Sequence, residues 1–383
     1  MASSSAHLNH HQPSTKHGGA TAAPPPTPSC SHLNTTSKSE TAVDALSSLF
    51  NRLPPLLSLP NRRFSDSASS IASLPLVSLS AGDRRSWDDL ISAVTDLGYF
   101  QLTNDDSDIV FPPGLAEAAE SDSLSLLELS EEKIESSFPK TWPLGYEADA
   151  ETPSFCLDAD CSTESSELNL SSLREFTRTL EKVGLKTVEM LANALGFGYD
   201  SIRFNTLMWV NQGVPDAEPE ITNGFYPFVV CLQYQIREQK YCLLTESGWV
   251  SVLLTESGWV SVLPRVDSVL VTLGDIAQVW RNGEVKRVKY RPVLCSGQND
   301  GPKKCVTMTL MLTLPMDSMV SPLKDMISGG DKEEEYAEEE EDGGARSDDK
   351  KAFRSFCFEE YAWRVYQERL FFRDPLDRYR IKS

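Results

Sequence analysis

Residues that can bind metal ions stand close together at one point of the sequence. Cys156 and Cys161 flank Asp158 and Asp160, and thiolates and carboxylates at such short spacing can form a metal-binding loop. Structural zinc sites use four ligands, and no second pair accompanies this one. We therefore favour the alternative interpretation, a polar loop that contains two thiols.

Histidine, the most common metal ligand among the side chains, is restricted to one end of the chain. All five histidines lie between His7 and His32. The rest of the chain could bind a metal only through other groups, such as Cys231, Cys242 and Tyr226. Cysteines in apolar segments are usually small core residues. We therefore expect this second set of residues to pack in the core and not to coordinate a metal ion.

The charge of the chain limits its partners. It has 36 basic and 56 acidic residues, a net charge of −20, which argues against nucleic acid or an anionic membrane as a partner. Residues 331–351 alone hold 11 acidic and 4 basic residues, without the ligand pattern of an EF-hand loop. No run of 18 apolar residues occurs, so no transmembrane helix is expected.

The cysteines and the N-terminus indicate a compartment. The eight cysteines include no C-x-x-C pair, so we expect reduced thiols in a cytoplasmic protein. The Ser-rich start MASSS and the lack of acidic residues before Glu40 are features of a plastid transit peptide. Plastid targeting is therefore the alternative.

Composition and periodicity divide the chain into five segments. Residues 1–72 are too poor in apolar residues to form a core, which predicts a disordered tail. We predict a helical N-terminal subdomain over 73–200, a jelly-roll barrel of short strands over 201–326, an acidic disordered loop over 327–351 and a C-terminal helix over 352–383. The expected fold class is mainly β with flanking helices.

Two local patterns make sharper predictions. The apolar stripe of residues 168–197 predicts one long helix packed across the sheet. The run IAQVW, residues 276–280, reads as a strand, and Asn282-Gly283 after it reads as a type I′ hairpin turn, which needs positive φ at both central residues.

A decapeptide, LLTESGWVSV, occurs twice without a mismatch over residues 243–262. The repeat is too short for a solenoid or propeller unit and reads as strand, turn and strand. Ten is an even number, so the insertion preserves the alternation of inward and outward side chains. We expect residues 245–257 to project as a loop or a small hairpin and to leave the barrel intact.

Four segments resemble the plant 2-oxoglutarate- and iron(II)-dependent dioxygenases, a superfamily with the isopenicillin N synthase-like fold. They are LGYFQLTN (97–104), GWVSVLP (258–264), LGDIAQVWRNG (273–283) and FEEYAWRVYQERL (358–370). The resemblance is closest to the gibberellin oxidases and covers roughly residues 73–383, apart from the acidic loop. It implies a double-stranded β-helix, and an oxidoreductase that uses iron(II) and 2-oxoglutarate.

The residues that the family uses for iron are missing. The resemblance places the family's His-x-Asp motif at Gly224 and Tyr226 and its second histidine at Tyr290, and none of these three residues is a typical iron ligand. The interval between Gly224 and Tyr290 becomes similar to that of the family when one decapeptide is removed, so the repeat lies between the two lost ligand positions.

The 2-oxoglutarate positions are altered as well. In the family an Arg-x-Ser pair on the last barrel strand binds the distal carboxylate, a bidentate contact that a thiol cannot make. The resemblance places this pair at Cys305 and Thr307. Asn205 matches the asparagine of the family's Asn-x-Tyr pair, whose tyrosine position is Leu207.

These losses predict a degenerate family member. We predict a catalytically inactive dioxygenase-like barrel, with no catalytic residues and no cofactor, that is retained as a binding or interaction module for an unknown small molecule or protein. The alternative is an active oxidoreductase of the gibberellin oxidase-like class that hydroxylates a small plant metabolite. Such an enzyme would have an unusual site, or the sequence would come from a faulty gene model. The perfect repeat favours the faulty gene model.

Overall fold

The computed structural model describes most of the chain between residues 71 and 381. The described ranges are 71–78, 84–103, 111–139, 141–147, 153–165, 168–199, 201–213, 225–245, 259–289, 292–295, 305–323, 352–368 and 374–381. The predicted tail over 1–72 lies outside these ranges except for its last two residues, and the N–H of Ala72 donates to the carbonyl of Ser261 at 2.9 Å. The predicted acidic loop over 327–351 lies outside them entirely.

Eight of the described strands form a main sheet in the order β1-β2-β9-β6-β11-β5-β4-β3. They are β1 (Leu76–Ser78), β2 (Tyr99–Thr103), β3 (Gly145–Tyr146), β4 (Ser154–Asp158), β5 (Asn205–Gly213), β6 (Val230–Tyr234), β9 (Ser268–Leu273) and β11 (Cys305–Thr313). Only β1 and β2 pair in parallel; the other described pairs of this sheet are antiparallel. Strands from the segment 73–200 therefore lie at both edges of the sheet.

Two smaller sheets complete the described β structure. The first has the order β10-β7-β8 and consists of β7 (Lys240–Leu244), β8 (Trp259–Val262) and β10 (Val293–Cys295). The second pairs β12 (Met319–Val320) with β13 (Phe356–Cys357). The first copy of the decapeptide thus begins in β7 and the second ends in β8, where Leu243 pairs with Val260 and Leu244 with Trp259.

The helices flank the sheets. They are α1 (Arg84–Ser92), continued by a π-helical turn (Ala93–Leu97), α2 (Leu115–Leu127), α3 (Glu131–Ser137), α4 (Ser171–Leu195), α5 (Asp275–Trp280), α6 (Phe358–Gln367) and a 3-10 helix (Pro375–Tyr379). The long helix predicted over 168–197 is α4. None of the helices that the structure describes combines the length and the apolar composition needed to cross a bilayer.

The prediction of a strand at residues 276–280 is wrong, because this segment forms α5. Asn282 and Gly283 do adopt positive φ, at 51° and 90°, but they end a helix: the N–H of Gly283 donates to the carbonyl of Gln278 at 2.9 Å. The residues from Ile276 to Trp280 are all buried. A short segment buried on every side shows no periodicity that could separate helix from strand.

The outer face of the main sheet is apolar and packs against α4. A methyl group added to Gly184 of α4 would lie 2.9 Å from Leu312 Cδ1 and 3.2 Å from Leu232 Cδ1. These two leucines lie on neighbouring strands, β11 and β6, and alternate residues of a strand share one face. Gly184 therefore lets the helix backbone approach the centre of the sheet closely.

The opposite face of the main sheet, called the inner face below, packs against the sheet that contains β7 and β8. Tyr99 of β2 and Leu270 of β9 share a buried cluster with Tyr241, Leu243 and Val262 of the smaller sheet. Two sheets that pack face to face form a β-sandwich, so the protein is mainly β with flanking helices.

Deletion of Leu253–Val262 should keep or raise the stability of the protein. The deletion leaves one copy of the decapeptide and shortens the connection between Leu244 and its partner tryptophan from 14 residues to the four residues Thr-Glu-Ser-Gly. Four-residue hairpin loops are common. Because a shorter loop costs less entropy to close, the deletion should raise the free energy of unfolding by about 1 kcal/mol. Thermal and urea unfolding would measure the change.

A matched control replaces residues 249–258 by ten glycine and serine residues, which keeps the length and should leave the stability unchanged. A lower melting temperature than the wild type for both the deletion and this control would show that the surplus side chains belong to the core.

Candidate functional site

The inner face of the main sheet is lined by uncharged polar side chains among apolar ones. Cross-strand pairing places Thr272 opposite Cys231, Gln233 opposite Leu270, and Thr309 opposite Trp209. None of β2, β5, β6, β9 and β11 contains a charged residue. The inner face of the main sheet therefore carries buried hydrogen-bonding groups without charge.

Four of these buried polar side chains each have an atom without a hydrogen-bond partner among the described residues. They are Thr309 Oγ1, Thr272 Oγ1, Gln233 Oε1 and Gln235 Oε1. Each of the four residues is at most 1% exposed. A buried polar group without a partner costs about 1–3 kcal/mol, and native structures contain few of them. Four such groups on adjacent strands mark the inner face as a candidate binding site.

The orientation of Gln235 is determined by its other amide atom. Its Nε2 donates to the backbone carbonyl of Gln233 at 3.2 Å, so exchanging the oxygen and nitrogen of this amide would place two oxygens against each other. Oε1 is therefore the atom without a partner. A molecule that binds here must donate a hydrogen bond to it.

The structure separates the positions expected to bind 2-oxoglutarate. Because β5 and β11 are antiparallel, Asn205 at the start of β5 pairs with Thr313, whereas Thr307 pairs with Asn211. Six residues of strand place Asn205 about 20 Å from Asn211, and Asn205 is exposed. Asn205 and Thr307, two of the positions that the resemblance assigns to 2-oxoglutarate, therefore lie at different points along the sheet. Cys305 pairs with Gly213 at the start of β11, and its side chain lies outside the described atoms.

Asn211, which the sequence analysis missed, is the asparagine of β5 that lies opposite Thr307. Its Oδ1 accepts a hydrogen bond from Ser154 Oγ at 2.6 Å. Both Asn205 and Asn211 stand in the same strand-like run, so a match to an Asn-x-Tyr motif could have selected either. Only the antiparallel pairing of β5 with β11 separates them.

Of the three positions expected for lost iron ligands, the structure describes Tyr226. It is 6% exposed, and its ring centroid lies 5.2 Å from that of Trp142 and 6.1 Å from that of Trp209. Its hydroxyl donates to Met316 Sδ at 3.9 Å. Burial, with a smaller effect of the Cys156 thiol, raises the pKa of Tyr226 above its ordinary value, so the phenol is neutral. Gly224 and Tyr290 lie outside the described residues.

The side chains of the segment 156–161 have separate partners. Cys161 Sγ lies 3.4 Å from Thr177 Oγ1, and burial raises the pKa of the Cys161 thiol to about 11. Asp160 pairs with Arg178 at 2.7 Å, and Asp158 accepts from the backbone N–H of Ser162. Within the described ranges, no three His, Cys, Asp or Glu residues are grouped so that they could hold a metal ion.

One of the described cysteines forms a disulfide. Cys156, Cys161, Cys231 and Cys357 are outside any disulfide, but Cys242 is disulfide-bonded. The expectation of reduced thiols is therefore wrong at Cys242, because sequence spacing alone does not show which cysteines come within bonding distance. A disulfide sulfur is also not a thiolate ligand.

A buried ion cluster lies near α5. Arg287 binds the carboxylates of Asp275 and Asp374, and Lys289 Nζ donates to Asp374 at 2.8 Å. The hydroxyl of Tyr361 donates to Asp275 at 2.6 Å. The side chain of Arg287 is 2% exposed. Two cations therefore neutralise two carboxylates, and the cluster joins α5 to the C-terminal segment.

The neighbouring charges of this cluster shift the pKa of Asp374. Burial alone would raise the pKa, but Arg287 and Lys289 outweigh it and hold the pKa well below its usual range. The stability that the ionised carboxylate contributes is therefore present above the unfolded-state pKa of about 3.9 and is lost as the pH falls below it.

Asp374→Asn should destabilise the protein by about 3–5 kcal/mol at pH 7, because it leaves Arg287 and Lys289 buried with one carboxylate. The difference in the free energy of unfolding between the variant and the wild type should become smaller as the pH falls below about 4. Urea unfolding between pH 3 and pH 7 would measure both effects. The control is Asp377→Asn, since Asp377 is an exposed partner of Arg380 and should contribute less than about 1 kcal/mol. An equal loss of stability in both variants would contradict the conclusion that Asp374 belongs to a buried ion cluster.

Thr309 and Thr313 form a matched pair for testing the inner face. Both are fully buried on the same face of β11, but Thr313 Oγ1 donates to the carbonyl of Pro227 at 2.8 Å, whereas Thr309 Oγ1 has no partner among the described residues. Thr313→Val should lower the free energy of unfolding by about 1–3 kcal/mol, whereas Thr309→Val should keep or raise it. Urea unfolding would measure both, and an equal loss in the two variants would show that Thr309 is bonded in solution.

Comparison with known proteins gives similarity at the level of the fold. No protein-family model and no curated protein matches the sequence. A rice dioxygenase for auxin oxidation superposes with a TM-score of 0.57 at 18% identity, covering 81% of this chain and 100% of that one. Neurospora crassa T7H in complex with α-ketoglutarate superposes with a TM-score of 0.55 at 13% identity, covering 77% of this chain and 96% of that one. JOX2 in complex with 2OG, Fe and JA superposes with a TM-score of 0.52 at 16% identity, covering 90% of this chain and 99% of that one.

These neighbours contradict the prediction that no cofactor is used. T7H was solved with α-ketoglutarate, which is 2-oxoglutarate, and JOX2 with both 2-oxoglutarate and iron, so iron(II) and 2-oxoglutarate are the cofactors to which the fold points. The prediction from sequence considered only the substituted ligand positions, and those positions do not determine what the fold accommodates.

The described residues do not reproduce the iron site of the family. Tyr226 presents a neutral phenol packed between indole rings, Gly224 has no side chain, and the sequence contains no histidine after His32. A facial site of two histidines and one carboxylate cannot be built from such groups. What the comparisons establish is the architecture: the chain has the jelly-roll fold of the 2-oxoglutarate and iron(II) oxygenases.

Proposed function

We propose that this protein is a dioxygenase-like barrel that binds a small molecule between its sheets without oxidising it. The inner face carries the proposal, because buried polar atoms of Gln233, Gln235, Thr272 and Thr309 have no partner among the described residues. Hydrogen-bonding groups of this kind fix the orientation of a ligand in an otherwise apolar site.

The side chain of Tyr226 supports the absence of oxidation chemistry. Hydroxylation by this family needs an iron with a carboxylate and two imidazole ligands and open positions for oxygen. Burial keeps the Tyr226 phenol protonated, and its hydroxyl contacts Met316. A protonated phenol in an aromatic cluster is a packing group.

A second candidate function is an active oxygenase of the gibberellin oxidase-like class that hydroxylates a small plant metabolite. It is favoured by two solved neighbours, one in complex with α-ketoglutarate and one in complex with 2OG, Fe and JA, of which this chain covers 96% and 99% of the length. Such an enzyme would have to hold iron through a ligand set other than the one at Gly224, Tyr226 and Tyr290.

An assay for succinate separates the two functions. The full-length protein is loaded without oxygen with iron(II), ascorbate and 2-oxoglutarate, then exposed to air, and succinate is quantified by mass spectrometry. We expect no succinate above a boiled sample. An active 2-oxoglutarate oxygenase run in parallel confirms that the assay conditions support turnover.

The control variant is Tyr226→Phe, which keeps the ring contacts with Trp142 and Trp209 and removes only the hydroxyl. Since that hydroxyl contacts a thioether, a weak acceptor, we expect a melting temperature within a few degrees of the wild type. Succinate above the boiled sample in the wild-type protein would overturn the proposed function. Its loss in Tyr226→Phe would then identify the phenol as part of the reacting site.

A further inference from the structure

The exact repeat of the decapeptide gives strand β7 two equivalent partners. In the structure β7 pairs with β8, where Leu244 lies opposite Trp259; this pairing is called the observed register below. Residues 249–253 and residues 259–263 both read WVSVL. Every side chain that β8 supplies to the smaller sheet is therefore present a second time, ten residues earlier in the chain.

Use of the first copy as β8, called the alternative register below, would preserve the two faces of the hairpin. The copies are an even number of residues apart, so each side chain would keep its face. Val252 would replace Val262, which is fully buried and shares a cluster with Tyr241 and Leu270. The connection from β7 would be residues 245–248, a four-residue loop of a common hairpin length.

Contacts on both sides of the repeat are the same in the two registers. Upstream, Tyr241 is 2% exposed and its hydroxyl donates to Gln239 Oε1 at 2.9 Å. The second copy has Ser251 at the equivalent position, so β7 keeps the leucines of the first copy. Downstream, the N–H of Arg265 donates to Gln101 Oε1 at 3.1 Å. Only the strand between these two anchors can come from either copy.

The two registers place the ten surplus residues at different ends of β8. In the observed register, the connection from β7 to β8 has 14 residues, 245–258. In the alternative register it has four, and residues 253–262 form a separate loop before Leu263. The ends of that loop would be neighbours in space, as in the compact Ω-loops of about 6–16 residues. Because the alternative register closes two loops and the observed register closes one, we expect it to be the less populated.

We propose that β8 is a two-register strand, in which residues 259–262 exchange with residues 249–252. The exchange moves the surplus residues from the tip of the β7–β8 hairpin to the connection between β8 and β9, and it leaves the side chains of both sheets in place. The hairpin is thus a conformational switch. A partner that binds the surplus residues at one end of β8 only would shift the populations toward that register.

Aspartate at the buried valine position of each copy tests the exchange. Val262→Asp removes the observed register, because it would bury an unpaired charge. The full-length protein should then fold in the alternative register, with a melting temperature lowered by no more than about 5 °C. Val252→Asp removes only the alternative register and should leave the melting temperature unchanged. The double variant has neither register, and its melting temperature should fall by more than about 10 °C.

A matched control carries the same charge without a second copy. The variant that lacks Leu253–Val262 has one decapeptide, and Val252→Asp in that variant should lower the melting temperature as much as the double substitution does in the full-length protein. A Val262→Asp protein that is as unstable as the double variant, or that does not fold, would overturn the proposal.

Fluorine NMR of the protein labelled with 5-fluorotryptophan reports the register directly. Trp249→Phe and Trp259→Phe assign two of the seven tryptophan resonances. In Val262→Asp, the Trp249 resonance should move close to the chemical shift that Trp259 has in the wild type, since Trp249 would then lie opposite Leu244. A Trp249 resonance that keeps its wild-type chemical shift in Val262→Asp would contradict the exchange.

Discussion

The pairing of β11 with β5 and β6 is the constraint on which the rest of the structure depends. β11 pairs with β5 along all nine of its residues and with β6 from Leu310 to Leu312. Successive side chains of a strand point to opposite faces, so this one strand sets both surfaces. Its leucines face α4 and supply the apolar core, while its threonines face the smaller sheet and supply the polar inner face. A shift of one residue would exchange these two surfaces.

Much of this architecture could be predicted from the sequence, because most strands are short apolar runs between turn residues. The strands expected around the decapeptide and along residues 305–313 are present, and the long stripe over 168–197 forms α4. The segment 276–280 could not be assigned correctly, since its burial depends on contacts far away in the chain. Gly274, which precedes it, shows this dependence: a methyl group there would lie 2.2 Å from the carbonyl oxygen of Phe228.

The candidate site was less predictable than the fold. Resemblance to a family located positions such as Tyr226 by their distance along the chain, but it could not show that Asn211, and not Asn205, lies opposite Thr307. Arg287 was missed for a similar reason. Its surroundings, VKRVKY, contain three basic residues and give no local sign of burial, which depends on Asp374, 87 residues further on. Contacts between distant segments are set by topology, which a local pattern does not contain.

The protein thus buries polar groups in two physically different ways. In the cluster around Arg287 the charges are balanced, because Asp275 and Asp374 each bind a cation, and only Nε of the Arg287 guanidinium has no partner among the described residues. On the inner face, Thr309 and Gln235 are equally buried but keep atoms that no described residue satisfies. Stability alone would favour valine or leucine at these positions. Polar atoms that lower stability and have no partner among the described residues are better explained by contact with another molecule.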